Sequence, residues 1–195
     1  LDKYIGKILD RLEELGLVEN TLIVFTSDHG DFLGQHGLTA KALHHYEDLI
    51  KVPLIAACPG TIPAGIENKD LQSTVDLAPT MLQFAGIPVP RYMTGLGMHD
   101  DWCGLHAGTR KHALVENHHN PTTFHANTLV TDRYKITVYR NAGYGELFDL
   151  KNDPGELTNL WDRPEAQALK SQLLLEFVQA EMQIEPMPMP RIWGA

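Results

Sequence analysis

Cysteine is scarce in this sequence, and the two cysteines that it has are far apart. Cys58 and Cys103 lack C-x-x-C spacing, so neither a zinc knuckle nor a framework of disulfides is supported. Hydrophobic residues make up 43% of the chain, which is typical of globular proteins and provides enough apolar side chains for a core. Stability is therefore expected to come from packing.

Basic residues and long apolar runs are also lacking. The chain has 16 Lys and Arg against 25 Asp and Glu, a formal net charge of −9, and no basic cluster. This balance argues against nucleic-acid binding. No apolar run reaches the roughly 18 residues of a membrane-spanning helix, so we expect no membrane span.

The first hundred residues alternate between helical and strand patterns. Apolar positions at helical spacing predict a helix over 1–15, and Gly16 falls where a left-handed helix end is expected. Residues 21–26 and 52–58 are too apolar for half-exposed strands, and predict strands of a parallel sheet covered on both faces. A second helix is predicted over 75–86. This order is the signature of an α/β fold.

From about residue 88 the pattern changes to that of a small antiparallel sheet. A connecting loop rich in Gly, Pro and Met precedes four strands with one wet face, predicted at residues 111–117, 126–132, 134–140 and 145–150. A helix begins at Pro164, and the tail 186–195 cannot be regular. We therefore predict residues 1–100 as part of an α/β core and residues 101–195 as a sheet packed with a C-terminal helix.

Polar residues end the first apolar strand abruptly. Asp28, His29 and Gly30 follow the strand closely, and ligands of open α/β sheets bind beyond the carboxyl ends of the strands. A carboxylate and an imidazole are competent ligands for a divalent cation, and Gly30 permits the turn that lets both converge. The alternative is an ordinary turn in which the histidine has no role.

Other polar residues have both functional and ordinary explanations. Lys41 follows His29 by twelve residues and has no obvious amphipathic role, although most lysines are solvated surface charges. His118 and His119 lie in a polar loop that could bind an anionic or sugar substrate, or could simply be exposed. His36, His44 and His45 lie near the site in sequence and are expected either to support the site residues or to have structural roles, and Asp76 is expected to be a helix cap.

Four long stretches occur in a familiar order. They are LDKYIGKILDRLEELGLVENTLIVFTSDHGDFLGQHGL (1–38), KALHHYEDLIKVPLIAACPG (41–60), STVDLAPTMLQFAGIPVP (73–90) and RYKITVYRNAGYGELFDLKNDPGELTNL (133–160). Together they resemble the C-terminal half of the sulfatase family, within the alkaline phosphatase superfamily. The resemblance runs from residue 1 to about residue 165.

The resemblance implies a sulfuric ester hydrolase with half of its active site in this chain. Asp28 and His29 would bind one divalent cation, calcium first, with Mn²⁺ or Mg²⁺ open because imidazole is softer than calcium's usual ligands. Lys41 matches the family lysine that contacts the sulfate, where it would be catalytic by neutralising charge. The family nucleophile is a formylglycine made from a C/S-x-P/A-x-R motif. Neither Cys58 nor Cys103 fits that motif, so the nucleophile is expected in the N-terminal half.

This chain by itself is therefore expected to be an inactive C-terminal fragment of a sulfatase. The substrate would be a sulfate ester of a sugar or of a small or aryl alcohol, and strands without neighbours predict self-association of the isolated fragment. One alternative is a phosphonate or phosphate ester hydrolase of the same superfamily. A remoter variant is a two-zinc phosphodiesterase, with His118 or His119 as an extra zinc ligand. Lys41 argues against this variant, because a second metal would take the role of the lysine. The other alternative is a non-catalytic binding module that reuses the fold.

Overall fold

A computed structural model describes residues 1–119 and 124–184. Its α-helices are α1 (Asp2–Glu14), α2 (Glu47–Ile50), α3 (Leu77–Phe84), α4 (His99–Trp102) and α5 (Gln167–Ile184). Its strands are β1 (Ile23–Thr26), β2 (Phe32–Leu33), β3 (Thr39–Ala40), β4 (Leu54–Ala57), β5 (Ala113–His119), β6 (Phe124–Val130), β7 (Tyr134–Tyr139) and β8 (Gly145–Asp149). No helix in this described part is long and apolar enough to cross a membrane. The predicted irregular tail, 186–195, lies outside the described residues.

The first helix and its end are as the sequence predicts. Gly16 has a φ of 66°, and its N–H donates to the carbonyl of Glu13 at 2.9 Å. The N–H of Leu17 donates to the carbonyl of Leu12 at 3.0 Å, which completes a Schellman motif that satisfies the last carbonyls of α1. The helix has no buried residue, so the described chain leaves its apolar side exposed.

The two apolar strands of the N-terminal part pair with each other, but in the antiparallel sense. Thr26 lies opposite Leu54, at the start of β4. The sequence predicted that each strand belongs to a parallel sheet covered on both faces; this pair is antiparallel instead, and Ile55 is 62% exposed in the described part of the chain. Parallel neighbours need a long crossover, whereas the fully described segment 27–53 contains only the β2–β3 hairpin and the one-turn α2. The chain therefore returns in the opposite direction.

The predicted helix over 75–86 is present with a 3-10 turn at its start. Ser73 and Asp76 form a capping box around this turn: the Asp76 carboxylate accepts the Ser73 N–H at 3.1 Å, and the Ser73 side chain accepts the Asp76 N–H. Arg110 also donates two hydrogen bonds to the Asp76 carboxylate. Asp76 thus stabilises the start of the helix, but the N-cap of the capping box is Ser73, and Asp76 is the residue three positions later that completes it. The predicted loop 87–110 contains the short α4.

Strands β5 to β8 form an antiparallel sheet in sequence order, as predicted, and α5 packs across one face. The core between them is formed by the fully buried side chains Leu129, Ile136, Leu147, Leu173, Phe177 and Ala180, with Ala166 at the helix start. The period of the helix pattern and the alternation of the strands predicted this arrangement because each element buries one apolar side.

The other face of this sheet is not wet, which corrects the sequence prediction. Thr128, Lys135 and Thr137 are no more than 1% exposed on that face. The polar residues of the alternating pattern are buried because residues 44–47 and Glu156 cover them and supply hydrogen-bond partners. Buried polar groups that are paired in this way avoid the cost of desolvation.

Candidate metal and anion site

The turn after β1 requires a glycine. The N–H of Gly30 donates to the carbonyl of Leu49 at 2.7 Å, at the end of α2. A Cβ on Gly30 would lie 1.9 Å from the carbonyl oxygen of Asp48, so no other residue fits without movement of the backbone. This close approach fixes the position of the two residues that precede Gly30.

The imidazole of His29 is oriented as a ligand. Its Nδ1 lies 2.6 Å from the carbonyl oxygen of Gly30, and since a carbonyl only accepts, Nδ1 must carry the proton. The lone pair is then on Nε2, which lies 3.6 Å from Oδ2 of Asp28. Two ligands of one cation are separated by about this distance when each lies roughly 2.0–2.5 Å from it. The dyad therefore fits as part of a metal site.

The carboxylate of Asp28 is prepared for the same role. Its Oδ1 accepts the backbone N–H of His29 at 3.0 Å, while its side chain is 84% exposed. That hydrogen bond lowers the pKa of Asp28. An ionised and accessible carboxylate next to a fixed imidazole nitrogen attracts a cation.

Lys41 reaches the same region through the β2–β3 hairpin. Phe32 pairs with Ala40, so Lys41 leaves the hairpin beside Asp31, two residues after the dyad. The Lys41 side chain is exposed, and no hydrogen bond or ion pair holds it among the described residues. The hairpin thus brings Lys41 back toward the dyad although twelve residues separate it from His29 in sequence. The ammonium group of Lys41 remains available for an anion.

The segment after Lys41 is attached to the antiparallel sheet by buried polar contacts. Nδ1 of His45 lies 2.8 Å from Oγ1 of Thr128, and burial lowers the pKa of His45 to about 4, with the charges of Lys135 and His44 acting in the same direction. At neutral pH the imidazole is therefore uncharged inside the contact.

Two tyrosines share one carboxylate in the same contact. The hydroxyl groups of Tyr46 and Tyr139 donate to the two oxygens of Glu146, at 3.0 and 2.6 Å. Burial raises the pKa of both tyrosines, and Glu146 raises it further. Both phenols stay protonated and act as donors. His36 stacks on Tyr46 with ring centroids 3.7 Å apart, and His44 packs near the same ring, which agrees with structural roles for these histidines.

A buried ion cluster, formed by Lys135, Glu47 and Glu156, completes the contact. The ammonium group of Lys135 forms ion pairs with both carboxylates, and it lies 3.2 Å from Oε1 of Glu47. The side chains of Lys135 and Glu156 are each 1% exposed. The second oxygen of Glu156 accepts the N–H of Glu47 at 2.6 Å, at the start of α2. The cluster therefore connects β7 and the Asp-Pro-Gly-Glu turn (153–156) to the segment that follows Lys41.

Sequence reasoning missed this cluster. Its members are separated by 88 and 109 positions, so no local pattern joins them. The available signal was a lysine at an inward position of an alternating strand, together with a glutamate that ends a Pro-containing turn.

The prediction that His118 and His119 lie in a loop is wrong, because both belong to strand β5, and this end of the strand lies away from the contact. His118 pairs with His125 across β5 and β6, and their rings stack with centroids 4.6 Å apart. Both line a cavity together with residues of α5, so they occupy the face opposite Thr128 and His45. The His119 side chain is outside the described residues. Across residues 1–119 and 124–184, no three His, Cys, Asp or Glu side chains form a group that could hold a metal.

Comparison with known proteins decides the family. The family model for the C-terminal region of N-sulphoglucosamine sulphohydrolase matches residues 34–183. The chain belongs to the sulfatase family. It is 34% identical over 190 residues to an N-acetylglucosamine-6-O-sulfatase of Bacteroides thetaiotaomicron, an alignment that covers 93% of this chain but only 34% of that relative.

Solved sulfatase structures have the same fold. A protein solved in complex with its substrate D-glucosamine-2-N,6-O-disulfate superimposes with a TM-score of 0.88 and 30% identity, over 94% of this chain and 38% of the other. The phosphonate monoester hydrolase of Agrobacterium radiobacter superimposes with a TM-score of 0.84 at 24% identity, over 94% and 39% of the two chains. The latter likeness concerns the fold alone. The predicted fold class is confirmed: this sulfatase segment combines mixed α/β elements with an antiparallel sheet and a C-terminal helix.

Proposed function

We propose that the protein containing this chain hydrolyses sulfate monoesters, and that this chain contributes Asp28, His29 and Lys41 to the reaction site. The observation that carries the proposal is the orientation of the dyad, in which Nε2 of His29 and Oδ2 of Asp28 face each other at 3.6 Å. Sulfatase relatives over most of the chain support the reaction class.

The dyad would hold one divalent cation, with calcium as the first choice and Mn²⁺ or Mg²⁺ as alternatives. Such a cation, when bound, acts as a Lewis acid on an oxygen of the ester. The carbonyl of Gly30 keeps the proton of His29 on Nδ1, so that Nε2 stays a ligand. Two ligands are too few for a hard cation. The remaining ligands, and the formylglycine nucleophile, are proposed to lie in a part of the protein that precedes this chain.

Lys41 would contact another oxygen of the ester and neutralise charge as the ester bond breaks. An ammonium group about 4 Å from an anion gains about 4 kcal/mol of Coulomb energy in a partly screened site. Solvent reduces this gain because Lys41 is exposed. The contacts of residues 45–47 with the sheet position the lysine segment, so the antiparallel sheet supports the site without entering it.

The substrate class that the relatives favour is a sulfated amino sugar, since one relative is a sulfatase of N-acetylglucosamine and one solved neighbour holds a glucosamine disulfate. A phosphonate or phosphate ester hydrolase of the same superfamily is the second candidate. The charge arrangement of a cation and a lysine suits either tetrahedral anion.

The test is turnover by the complete protein that contains this chain. We expect kcat/KM for a glucosamine sulfate ester to exceed that for a phenylphosphonate monoester, and Lys41→Ala to lower it at least tenfold. Lys69→Ala is the matched control, because Lys69 is also exposed and lies away from the hairpin. Faster turnover of the phosphonate would favour the second candidate. Saturable binding of both esters without turnover would favour a binding module, and equal turnover of Lys41→Ala and wild type would remove Lys41 from the site.

A further inference from the structure

A second cavity lies between the antiparallel sheet and the C-terminal half of α5. Its volume is about 700 Å³, within the range of small-molecule sites. It lies on the sheet face opposite the contact with residues 45–47, so it is separate from the proposed hydrolase site.

One wall of this cavity is apolar and partly exposed to solvent. Phe177 forms its floor, while Val178 and Met182 of the same helix are 57% and 64% exposed at its edge. Val138 of β7 contributes the opposite side. Apolar side chains that converge on an open space of this size form a surface that an apolar ligand body would cover.

The opposite end of the cavity carries a cation and two stacked rings. Arg140 lies with its Nη1 at 3.3 Å from Nδ1 of His125, and it forms no ion pair with any carboxylate in the described part of the chain. The rings of His118 and His125 are stacked with an interplanar angle of 10°. Partial burial lowers the pKa of His125, and the charge of Arg140 lowers it further, so the imidazole accepts from the guanidinium. No other group in residues 1–119 and 124–184 accepts from this guanidinium, so within that part of the chain its remaining donors can face an anion.

Among the described residues that line the cavity, the carboxylate of Glu181 is already engaged. Oε1 of Glu181 accepts a hydrogen bond from the Asn127 side chain at 3.0 Å. Its charge lies on the α5 side, so an anion would be directed away from Glu181 and toward Arg140. Beside the apolar wall, the Arg140 guanidinium is available at one end while Asn127 engages the Glu181 carboxylate, so the lining suits an amphiphile that carries one negative charge.

We propose that this cavity binds a small amphiphilic anion, with a flat apolar body against Phe177 and Val178 and a single carboxylate or sulfonate group on Arg140. A planar body would also cover the exposed face of the stacked histidine rings. The pairing of guanidinium with an oxyanion supplies direction, and the covered apolar area supplies most of the affinity.

The test is calorimetric titration of the complete protein with 2-naphthalenesulfonate and with the uncharged 2-naphthalenemethanol. We expect saturable binding of the sulfonate that Arg140→Gln weakens at least tenfold, while the affinity for the alcohol changes less than twofold. Arg91→Gln, at an exposed arginine outside the cavity, should leave both affinities unchanged. Absence of saturable sulfonate binding to the wild type, or equal binding by Arg140→Gln, would overturn the proposal.

Filling the cavity tests the location. Val178→Trp should weaken both probes at least tenfold, whereas Leu175→Trp, at an equally exposed position of α5 that does not line the cavity, should not. Met182→Glu places a carboxylate in the apolar wall and should reduce sulfonate binding more than alcohol binding. Melting temperatures identify any variant that fails to fold. If Val178→Trp or Met182→Glu fails to fold, the other of these two variants tests the location of the ligand. Unchanged affinity in a folded cavity variant would place the ligand elsewhere.

Discussion

Replacing Lys135 by methionine would leave a buried carboxylate without its cation. Glu156 is 1% exposed and pairs with Lys135, while Glu47 lies beside them. Removing one partner of a buried ion pair costs about 3–5 kcal/mol, because the remaining charge is neither solvated nor paired. We expect Lys135→Met to lower the free energy of unfolding of the complete protein by that amount at pH 8, measured by urea denaturation with tryptophan fluorescence.

The pH dependence of this loss has a defined sign. Burial raises the pKa of Glu156, and Lys135 opposes that shift, so the variant raises the pKa further. A carboxyl whose folded pKa lies above its unfolded value binds protons more readily in the folded state. The stability that it contributes is therefore present at low pH and lost as pH rises. We expect the loss in Lys135→Met to be smaller at pH 5 than at pH 8.

Two further variants identify the cause of this loss. Lys135→Met combined with Glu156→Gln removes the unpaired charge, and it should recover part of the stability that the single variant loses. Lys151→Met removes a lysine whose pairing with Asp132 is solvent-exposed, so its effect should stay within about 1 kcal/mol. If Lys135→Met costs no more than Lys151→Met, the buried ion cluster does not hold the segment after Lys41 to the sheet.

Two more predictions concern the turn and the contact with the sheet. Gly30→Ala should destabilise the protein by about 2–3 kcal/mol, because the added methyl group would overlap the carbonyl of Asp48. The control Gly143→Ala, with open space around it, should change stability by less than about 0.5 kcal/mol. Equal melting temperatures of the two variants would contradict this prediction. His45 has a folded pKa of about 4, below its unfolded value of about 6.5. Between these two pH values the unfolded state binds more protons than the folded state. The free energy of unfolding of the wild type should therefore fall by about 3 kcal/mol from pH 7 to pH 4. His45→Asn keeps a hydrogen bond to Thr128 and should remove that part of the pH dependence in denaturation curves; an unchanged slope would show that His45 is not buried in its neutral form.

The sequence predicted the elements that depend on local chemistry. The end of α1 at Gly16 follows from the positive φ that glycine tolerates, and the core of α5 follows from the helical period of its apolar residues. The four strands of the antiparallel sheet were found because their links are short and their alternation is regular. These features need only a few neighbouring residues to be recognised.

Pairing and burial across long separations were not predictable in the same way. An apolar strand such as β1 is compatible with parallel or antiparallel neighbours, and the segment 27–53 decides between them by returning without a crossover helix. The alternation in β7 correctly separated two faces, but it suggested water where residues 44–47 supply buried partners. A polar side chain on a strand indicates that a hydrogen-bond partner is needed, but it does not indicate whether that partner is water or protein.

The candidate site also combines residues that local sequence indicated with contacts that it did not indicate. Asp28 and His29 were chosen as candidates from their place after an apolar strand, and their mutual orientation depends on Gly30, which the turn chemistry also indicated. Lys41 carried no local signal, and only the resemblance to sulfatases selected it. The contacts that position its segment join residues about a hundred positions apart, which one sequence without an aligned relative does not reveal.

The most direct test is a crystal structure of the complete protein with manganese and a non-hydrolysable sulfate ester analogue, using anomalous scattering to locate the cation. We expect one metal peak within about 2.0–2.5 Å of Asp28 Oδ2 and His29 Nε2, with the Lys41 ammonium group in contact with another oxygen of the same anion. A metal peak that neither side chain contacts, or a Lys41 side chain directed away from the anion, would contradict it.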